Sequence, residues 1–528
     1  MASASSDTSD AQQTREGGKP MLARHRQNDE AADIKTQTAA RNSYFPLSYK
    51  DGVAQWWAGL SPAVTEHRVL SFIPYLRQPP TQTQTQTGGK QNGSSMSVDR
   101  SSEKQADPVK TDSEDPYGPR TWHSNLVQLS GKNRFLNEFS VERLNETTSN
   151  NLVLLHGYGA GLGFYYKNFE SLSRLPHWKL YALDMPGMGR SSRPPFTIKS
   201  KDREGKVREA ESWFVDALEE WRVKRGIEKM TLMGHSLGGY MAVCYALKYP
   251  GRLEKLILAS PVGIPEDPYA VSEAMPTEAE ANNIAKEFAN AETENIPSHQ
   301  QSNNKSVPAQ PPPRRPYSKW LTTLWDANIS PFSVVRFAGP LGPRLVSGWT
   351  SRRFAHLPAE EAQALHDYSY SLFRQKGSGE YALAYILAPG AFARSPLIRR
   401  IQGVGRQYLE PHSEPSVDGA AGAKVVGEGD VKKVRETGIP VVFYYGDHDW
   451  MDVKGGREAV ERMGEEKRKA LANATDEEKR LENGDVKVRV VKNAGHHVYL
   501  DGAEEFNKMV AEEMRDVEVR QKRLRGKR

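Results

Sequence analysis

The sequence predicts an α/β protein: a mainly parallel, eight-stranded sheet covered by helices, with a helical cap inserted before the last two strands. Three observations predict it. Short apolar runs alternate with helical patterns, glycine-rich turns follow several of those runs, and the alternation breaks between roughly residues 262 and 437 before it resumes.

The strands set the frame. NLVQL at 125–129 and FSVERL at 139–144 read as an opening β-hairpin. NLVLL (151–155), KLYAL (179–183), MTLM (230–233), KLILA (255–259), VVFYY (441–445) and VKVRVV (486–491) follow. Helical patterns separate several of them; one, at 211–225, sets Trp213, Phe214, Ala217, Leu218 and Trp221 on one face. This alternation means a mostly parallel sheet buried on both sides.

The interval from 262 to 437 is too long for a plain loop. It reads as a cap over the carboxyl edge of the sheet, with flexible insertions at 270–316 and 411–432 and aromatic, helical sequence between them. The core then comprises 121–261 and 438–515.

The flanks are polar or amphipathic. Residues 1–43 lack pattern and read as disordered, and 78–120, with its TQTQTQT run, reads as a linker. Between them, 44–77 reads as a helical arm. Val53, Trp56, Trp57 and Leu60 form one stripe, and Val69, Phe72, Ile73 and Leu76 form another that Pro74 ends or bends. The arm either packs on the main domain or lies at a membrane interface with its tryptophans at headgroup depth. Residues 516–528 read as a basic tail, with six Lys or Arg and no acid among the last nine residues. Such a tail adds about 1 kcal/mol per basic residue near an anionic leaflet.

Bulk properties exclude several classes. The formal charge of +6 over 528 residues is too small for a nucleic-acid binder. The lone Cys244 permits no internal disulfide and lies in an apolar helical stretch that suits burial. Without a run of about 18 apolar residues, no transmembrane helix is expected. The first residues lack an apolar secretory core; they are Ser-rich like a transit peptide, but Asp7 and Asp10 oppose that reading.

Chemistry concentrates at the ends of strands. Gly234-His235-Ser236-Leu237-Gly238 follows the MTLM strand and opens an apolar helix, which is the strand–turn–helix setting of a nucleophile elbow. Five such residues alone are a weak signal; the setting makes it a strong one. A serine hydroxyl needs a base, and the base needs an orienting carboxylate. Asp449, after VVFYY, is the expected acid, with Asp447 and Asp452 as fallbacks. His496, in the Asn493–His497 turn after VKVRVV, is the expected base. His497 reads as a neighbour packing on the cap, and His448 and His235 as local packing or hydrogen-bonding residues. His156-Gly157-Tyr158-Gly159-Ala160-Gly161 follows NLVLL, so the N–H groups of Tyr158 and Leu237 are the expected oxyanion hole. Residues 184–192 (DMPGMGRSS) shape the site without chemistry. These motifs, in the order Ser, acid, His, predict the α/β-hydrolase fold. No G-x-G-x-x-G with a later ribose-binding acid occurs, and no cofactor or metal is implied.

At this level of detail the chain resembles the α/β-hydrolase-domain lipid enzymes that include cardiolipin-specific deacylases and lysophosphatidic-acid acyltransferases. The resemblance spans about 120–515 and rests on SGKNRFLNEFSVERL, LHGYGAGLGFYYKNF, DMPGMGRSSRP, GHSLGGYMA, YYGDHDWMD and NAGHHVYLD. The cap strings WDANISPFSVVRFAGPLGPRLVSGWTSRRF and GEYALAYILAPGAFARSPL are its most specific part. It implies a glycerophospholipid substrate deacylated through an acyl-enzyme on Ser236, at a peripheral membrane surface. It also implies a mitochondrial location, with the cytoplasm or a lipid-droplet surface as the alternative.

The cap arginines Arg336, Arg344, Arg352, Arg353 and Arg394 are candidates to bind phosphate bidentately, against solvated surface charge as the plainer reading. Phe332, Val334, Val335, Phe337 and Trp349 are candidates for an acyl groove, against core packing. His496 to Asp501 also spells H-x4-D, the pattern of glycerolipid acyltransferases of another fold, and is discounted because the triad already needs His496. Acyl transfer from acyl-CoA to a lysophospholipid is the alternative activity. A non-catalytic lipase co-activator is the alternative of another class, disfavoured because Ser236 is present. The oligomeric state stays open.

Overall fold

The computed structural model describes residues 45–81, 104–111, 114–272, 330–409 and 434–526. Ten strands form the main sheet: β1 (Lys104–Gln105), β2 (Val109–Lys110), β3 (Arg120–Gln128), β4 (Phe135–Arg143), β5 (Asn150–Leu155), β6 (Trp178–Leu183), β7 (Met230–His235), β8 (Leu253–Ala259), β11 (Pro440–Gly446) and β12 (Asp485–Val491). A separate two-stranded sheet pairs β9 (Leu387–Ala388) with β10 (Phe392–Ala393). The order across the main sheet is β1-β3-β4-β6-β5-β7-β8-β11-β12, with β2 also on β3. Pairing is parallel from β6 through β12 and antiparallel from β6 back to β1. The eight expected strands are therefore present. The two extra ones come from the stretch expected to be a linker, whose ends at 104–110 dock on the edge strand β3.

The longer helices are α1 (Tyr49–Ala58), α2 (Pro62–Leu70), α3 (Tyr166–Leu172), α4 (Arg203–Lys224), α5 (Leu237–Lys248), α6 (Pro331–Phe337), α7 (Gly342–Arg353), α8 (Ala359–Phe373), α9 (Val453–Ala472) and α10 (Ala503–Arg525). Two apolar layers enclose the sheet. One gathers β-strand residues with Phe214, Trp221, Met241 and Tyr245 of α4 and α5. The other gathers Phe169 of α3, Tyr368 of α8 and Phe506, Val510 and Met514 of α10. Cys244 is free and buried. Among the described residues, no helix is long and apolar enough to cross a membrane.

Two boundaries differ from the expected ones, and in the 44–77 arm α2 takes the first of the two expected placements, packed on the main domain, with Val69, Leu70, Ile73 and Leu76 buried and Glu66 Oε1 paired to Arg190 at 2.6 Å. In α1 the expected stripe does not face inward. Gly52 is its buried residue, seated against Arg344 and Pro340, and Val53 and Trp57 are exposed. The basic tail continues α10 to Arg525, because Met514 and Val517 keep the helix docked and Arg520 pairs with Asp516 (2.6 Å) and Asp485 (3.0 Å). The later part of the insertion belongs to the main core: Leu397, Ile398, Ile401 and Val404 pack in the first layer, and the N–H groups of Leu397 and Ile398 donate to Gly263 and Ile264. The expected disordered segment 1–43 and most of both flexible insertions lie outside the described residues.

Candidate active site

The site sits where the parallel strands end. β7 runs straight into α5 through Ser236, whose backbone (φ 53°, ψ −115°) lies in a region that side-chain-bearing residues rarely occupy. The turn fits only because its flanks are glycine. A Cβ at Gly234 would lie 2.2 Å from the Gly238 carbonyl oxygen, and one at Gly238 would lie 2.5 Å from that of Leu155. Ser236 also stands at the N-terminus of α5, where backbone N–H groups lack helical acceptors.

The loop after β11 carries the expected acid. His496 Nδ1–H donates to Asp449 Oδ1 at 3.1 Å, and the Asp449 side chain is shielded from solvent. The Met451 N–H fixes the same oxygen at 2.9 Å. Neither fallback carboxylate reaches His496. Asp447 accepts from the Asn493 and Ala494 N–H groups and from His448, and Asp452 caps α9 through Lys454 N–H. Trp450 lies against the imidazole, ring centres 4.8 Å apart.

His235 ties the elbow to the His496 loop. Its buried ring donates from Nε2 to the His496 carbonyl oxygen at 2.9 Å and lies 4.8 Å from the His496 ring. Burial, reinforced by His496, holds it well below the ordinary histidine range, so it is a neutral strut. The Ser236 hydroxyl itself is not hydrogen-bonded to His496 in this structure; such bonds commonly tighten only around substrate.

The oxyanion loop is pressed against the nucleophile. A Cβ at Gly157 would lie 2.8 Å from His235 Nδ1 and 3.0 Å from Ser236 Cβ. Among the described residues, no backbone acceptor takes the N–H of Tyr158 or Leu237. Asp184 holds the loop from behind: its carboxylate accepts from the N–H groups of Leu162 and Arg190 (both 2.7 Å) and from Asn137 Nδ2 (2.8 Å). Sequence reasoning gave Asp184 no task; for His235 it expected local packing or hydrogen bonding, and the bond is to the His496 carbonyl. The Tyr158 ring stacks on Phe332 (4.7 Å), which stacks on Phe373 (4.3 Å), so the cap roofs the loop.

Most cap arginines are committed to the protein. Arg336 pairs with Glu380 at 2.5 Å, Arg344 donates to the Leu47 carbonyl at 2.8 Å, and buried Arg394 donates to that of Ala384 at 2.7 Å. Arg353 contacts His497 and Asp501, and Arg352 is exposed in the last turn of α7. Four of the five candidate phosphate ligands thus hold partners within the protein. Of the expected groove residues, Phe332 lines the roof while Val334 and Phe337 face solvent. Among the described residues, no cluster of His, Cys, Asp or Glu is arranged to hold a metal ion.

Comparisons agree with this architecture. A family model described as alpha/beta hydrolase fold matches residues 150–309. A 1-acylglycerol-3-phosphate O-acyltransferase of Arabidopsis thaliana is 32% identical over 340 residues, 63% of each chain. The mouse protein named 1-acylglycerol-3-phosphate O-acyltransferase ABHD5 is 29% identical over 399 residues, 75% of this chain and 85% of its own. A human (lyso)-N-acylphosphatidylethanolamine lipase is 28% identical over 391 residues, 73% of this chain and 84% of its own. The chain therefore spans less than two thirds of the plant relative's length. By its sheet order, its elbow and the match over residues 150–309, the chain has the α/β-hydrolase fold, and the relatives it is similar to are named as lipid enzymes.

Proposed function

We propose that this chain is a serine hydrolase that deacylates glycerophospholipids through an acyl-enzyme, with Ser236, His496 and Asp449 as its triad. The observation that carries the reading is the buried Asp449–His496 hydrogen bond beside the strained elbow of Ser236. His496 takes the Ser236 proton as Oγ attacks the acyl carbonyl, and Asp449 stabilises the imidazolium. The N–H groups of Tyr158 and Leu237 receive the oxyanion, each donor being worth about 3–4 kcal/mol in the transition state. His496 then protonates the departing lysophospholipid alkoxide, and water releases the fatty acid by the same steps in reverse order.

Access fits a lipid surface. Tyr49, Val53 and Trp57 of α1 are exposed beside Phe337, Leu341 and Trp349 of the cap, and α1 packs on α7 and the turn before it. Arg352, exposed on the same helix as Leu345 and Trp349, suits an anionic headgroup. The cleft by the oxyanion loop, lined by Gly159, Met188, Phe332, Leu372 and Phe373 together with Arg193 and Glu380, is only about 20 Å³ and holds a water, not an acyl chain. A cardiolipin-type substrate in a mitochondrial membrane follows from the sequence resemblance, and fractionation separates that from the cytoplasm or lipid droplets.

A second reading is favoured by the names of the relatives, several of which are acyltransferases. There a lysophospholipid hydroxyl, not water, resolves the acyl-enzyme formed from acyl-CoA. Purified protein on a phospholipid panel including cardiolipin, with and without acyl-CoA, separates the two by mass spectrometry. Free fatty acid alone supports the hydrolase, and acyl incorporation supports the transferase. Neither product, with lipase binding intact, supports a co-activator.

A further inference from the structure

The loop bearing His496 is gripped from the cap. Arg353, in the last turn of α7, donates from Nε to His497 Nδ1 at 3.0 Å. Both its terminal nitrogens lie 3.3 Å from Asp501 Oδ1. The other Asp501 oxygen accepts the Gly495 N–H at 3.1 Å. One guanidinium therefore touches the residue after His496 and the carboxylate that holds the residue before it. His356 adds a second cap contact to Asp501 at 3.4 Å.

We propose that Arg353 is a positioning residue for His496: with Asp501 it clamps the 495–501 loop to the cap, and the H-x4-D spacing serves that grip. The proposal rests on the triad reading above. Two facts favour the clamp over acyl-transfer chemistry at this motif. Asp449 already occupies His496 Nδ1, and both Asp501 oxygens are engaged elsewhere. The geometry also needs His497 as an acceptor. Burial, helped by the Arg353 charge, keeps it well below the ordinary histidine range and hence neutral. Because α7 also carries exposed Leu345 and Trp349, the clamp links the proposed lipid-facing helix directly to the catalytic base.

The test compares full-length Arg353→Ala, Arg353→Lys, Asp501→Asn and the double variant Arg353→Ala/Asp501→Asn. Two readouts apply: hydrogen exchange of the 495–501 amides, and kcat and KM on a soluble short-chain ester. In Arg353→Ala those amides exchange about tenfold faster while 440–446 stays protected. Its kcat falls about 10–100-fold with KM nearly unchanged, the size expected from displacing a base by about 1 Å. Arg353→Lys recovers part of both, and the double variant is no slower than Arg353→Ala. Wild-type exchange at 495–501, wild-type kcat, or equal loss of protection across 440–446 overturns the clamp. A wild type without ester turnover contradicts the hydrolase reading instead, and the exchange measurement then decides the clamp by itself.

Discussion

Asp449 and His496 lie 47 positions apart in the chain, yet the imidazole donates from Nδ1 to a carboxylate oxygen 3.1 Å away that solvent does not reach. Two adjacent parallel strands, β11 and β12, end beside each other and bring the two loops together. With Nδ1 so engaged, Nε2 of His496 is the nitrogen left for the proposed role of base.

Removing the nucleophile or the base should then be far costlier than removing the orienting acid. Ser236→Ala and His496→Ala should each lose on the order of 10⁶ in kcat, and Asp449→Asn about 10⁴. Steady-state rates on a soluble ester check this, and an Asp449→Asn loss below tenfold would assign the acid elsewhere.

The close approach at Gly157 predicts a variant that folds but works poorly. Its added methyl in Gly157→Ala would meet His235 Nδ1 and Ser236 Cβ at 2.8 and 3.0 Å. The expected result is a loss of about 10²-fold in kcat, from a nucleophile pushed by a fraction of an ångström. The melting temperature should move by only a few degrees. Unimpaired turnover would show that the oxyanion loop yields without cost.

The exposed aromatics predict lipid binding separable from chemistry. Trp57 is 82% exposed and Phe337 86%, so Trp57→Ser and Phe337→Ser should barely affect folding. Each should weaken binding to anionic vesicles about tenfold, as loss of one large apolar side chain implies. Turnover of a soluble ester should stay within twofold. Vesicle sedimentation at fixed salt checks this, and unchanged binding removes this face as the docking surface.

Acid should loosen the contact between α1 and the cap. His366 Nε2 contacts Gln55 Oε1 at 3.1 Å and Nδ1 contacts Thr350 Oγ1 at 2.9 Å. Burial lowers this histidine from 6.5 to about 3, so between those pH values the folded chain binds fewer protons than the unfolded one. The stability it contributes is present above pH 6.5 and is lost as pH falls towards 3. Between pH 6.5 and 5 the loss is about 2 kcal/mol. Urea unfolding at both pH values should show His366→Gln losing less than wild type by that amount; equal losses would contradict the assignment.

The parts of this molecule legible in sequence are those whose signal is local. The elbow at Ser236 announces itself because its glycines, strand and helix are contiguous, and the apolar runs fix the eight principal strands. What escaped depends on partners far away in the chain. In α1 the docked residue is Gly52, which no hydrophobic stripe can reveal, and its seat comes from Pro340 and Arg344. β1 and β2 are two residues each, too short for a period, and exist only through pairing with β3. Arg353 has the chemistry of a phosphate ligand, and only the fold reveals that Asp501 and His497 occupy it. A signal for Asp184 was present: a buried aspartate opening a Pro-Gly-x-Gly loop after a strand has few tasks besides holding backbone N–H groups.

The most direct measurement is covalent labelling with a fluorophosphonate, followed by peptide mass spectrometry of the wild type, Ser236→Ala and His496→Ala. The account predicts one adduct, on Ser236, absent from Ser236→Ala and slowed by orders of magnitude in His496→Ala. An adduct on another residue, or labelling of Ser236 at the wild-type rate without His496, would contradict it.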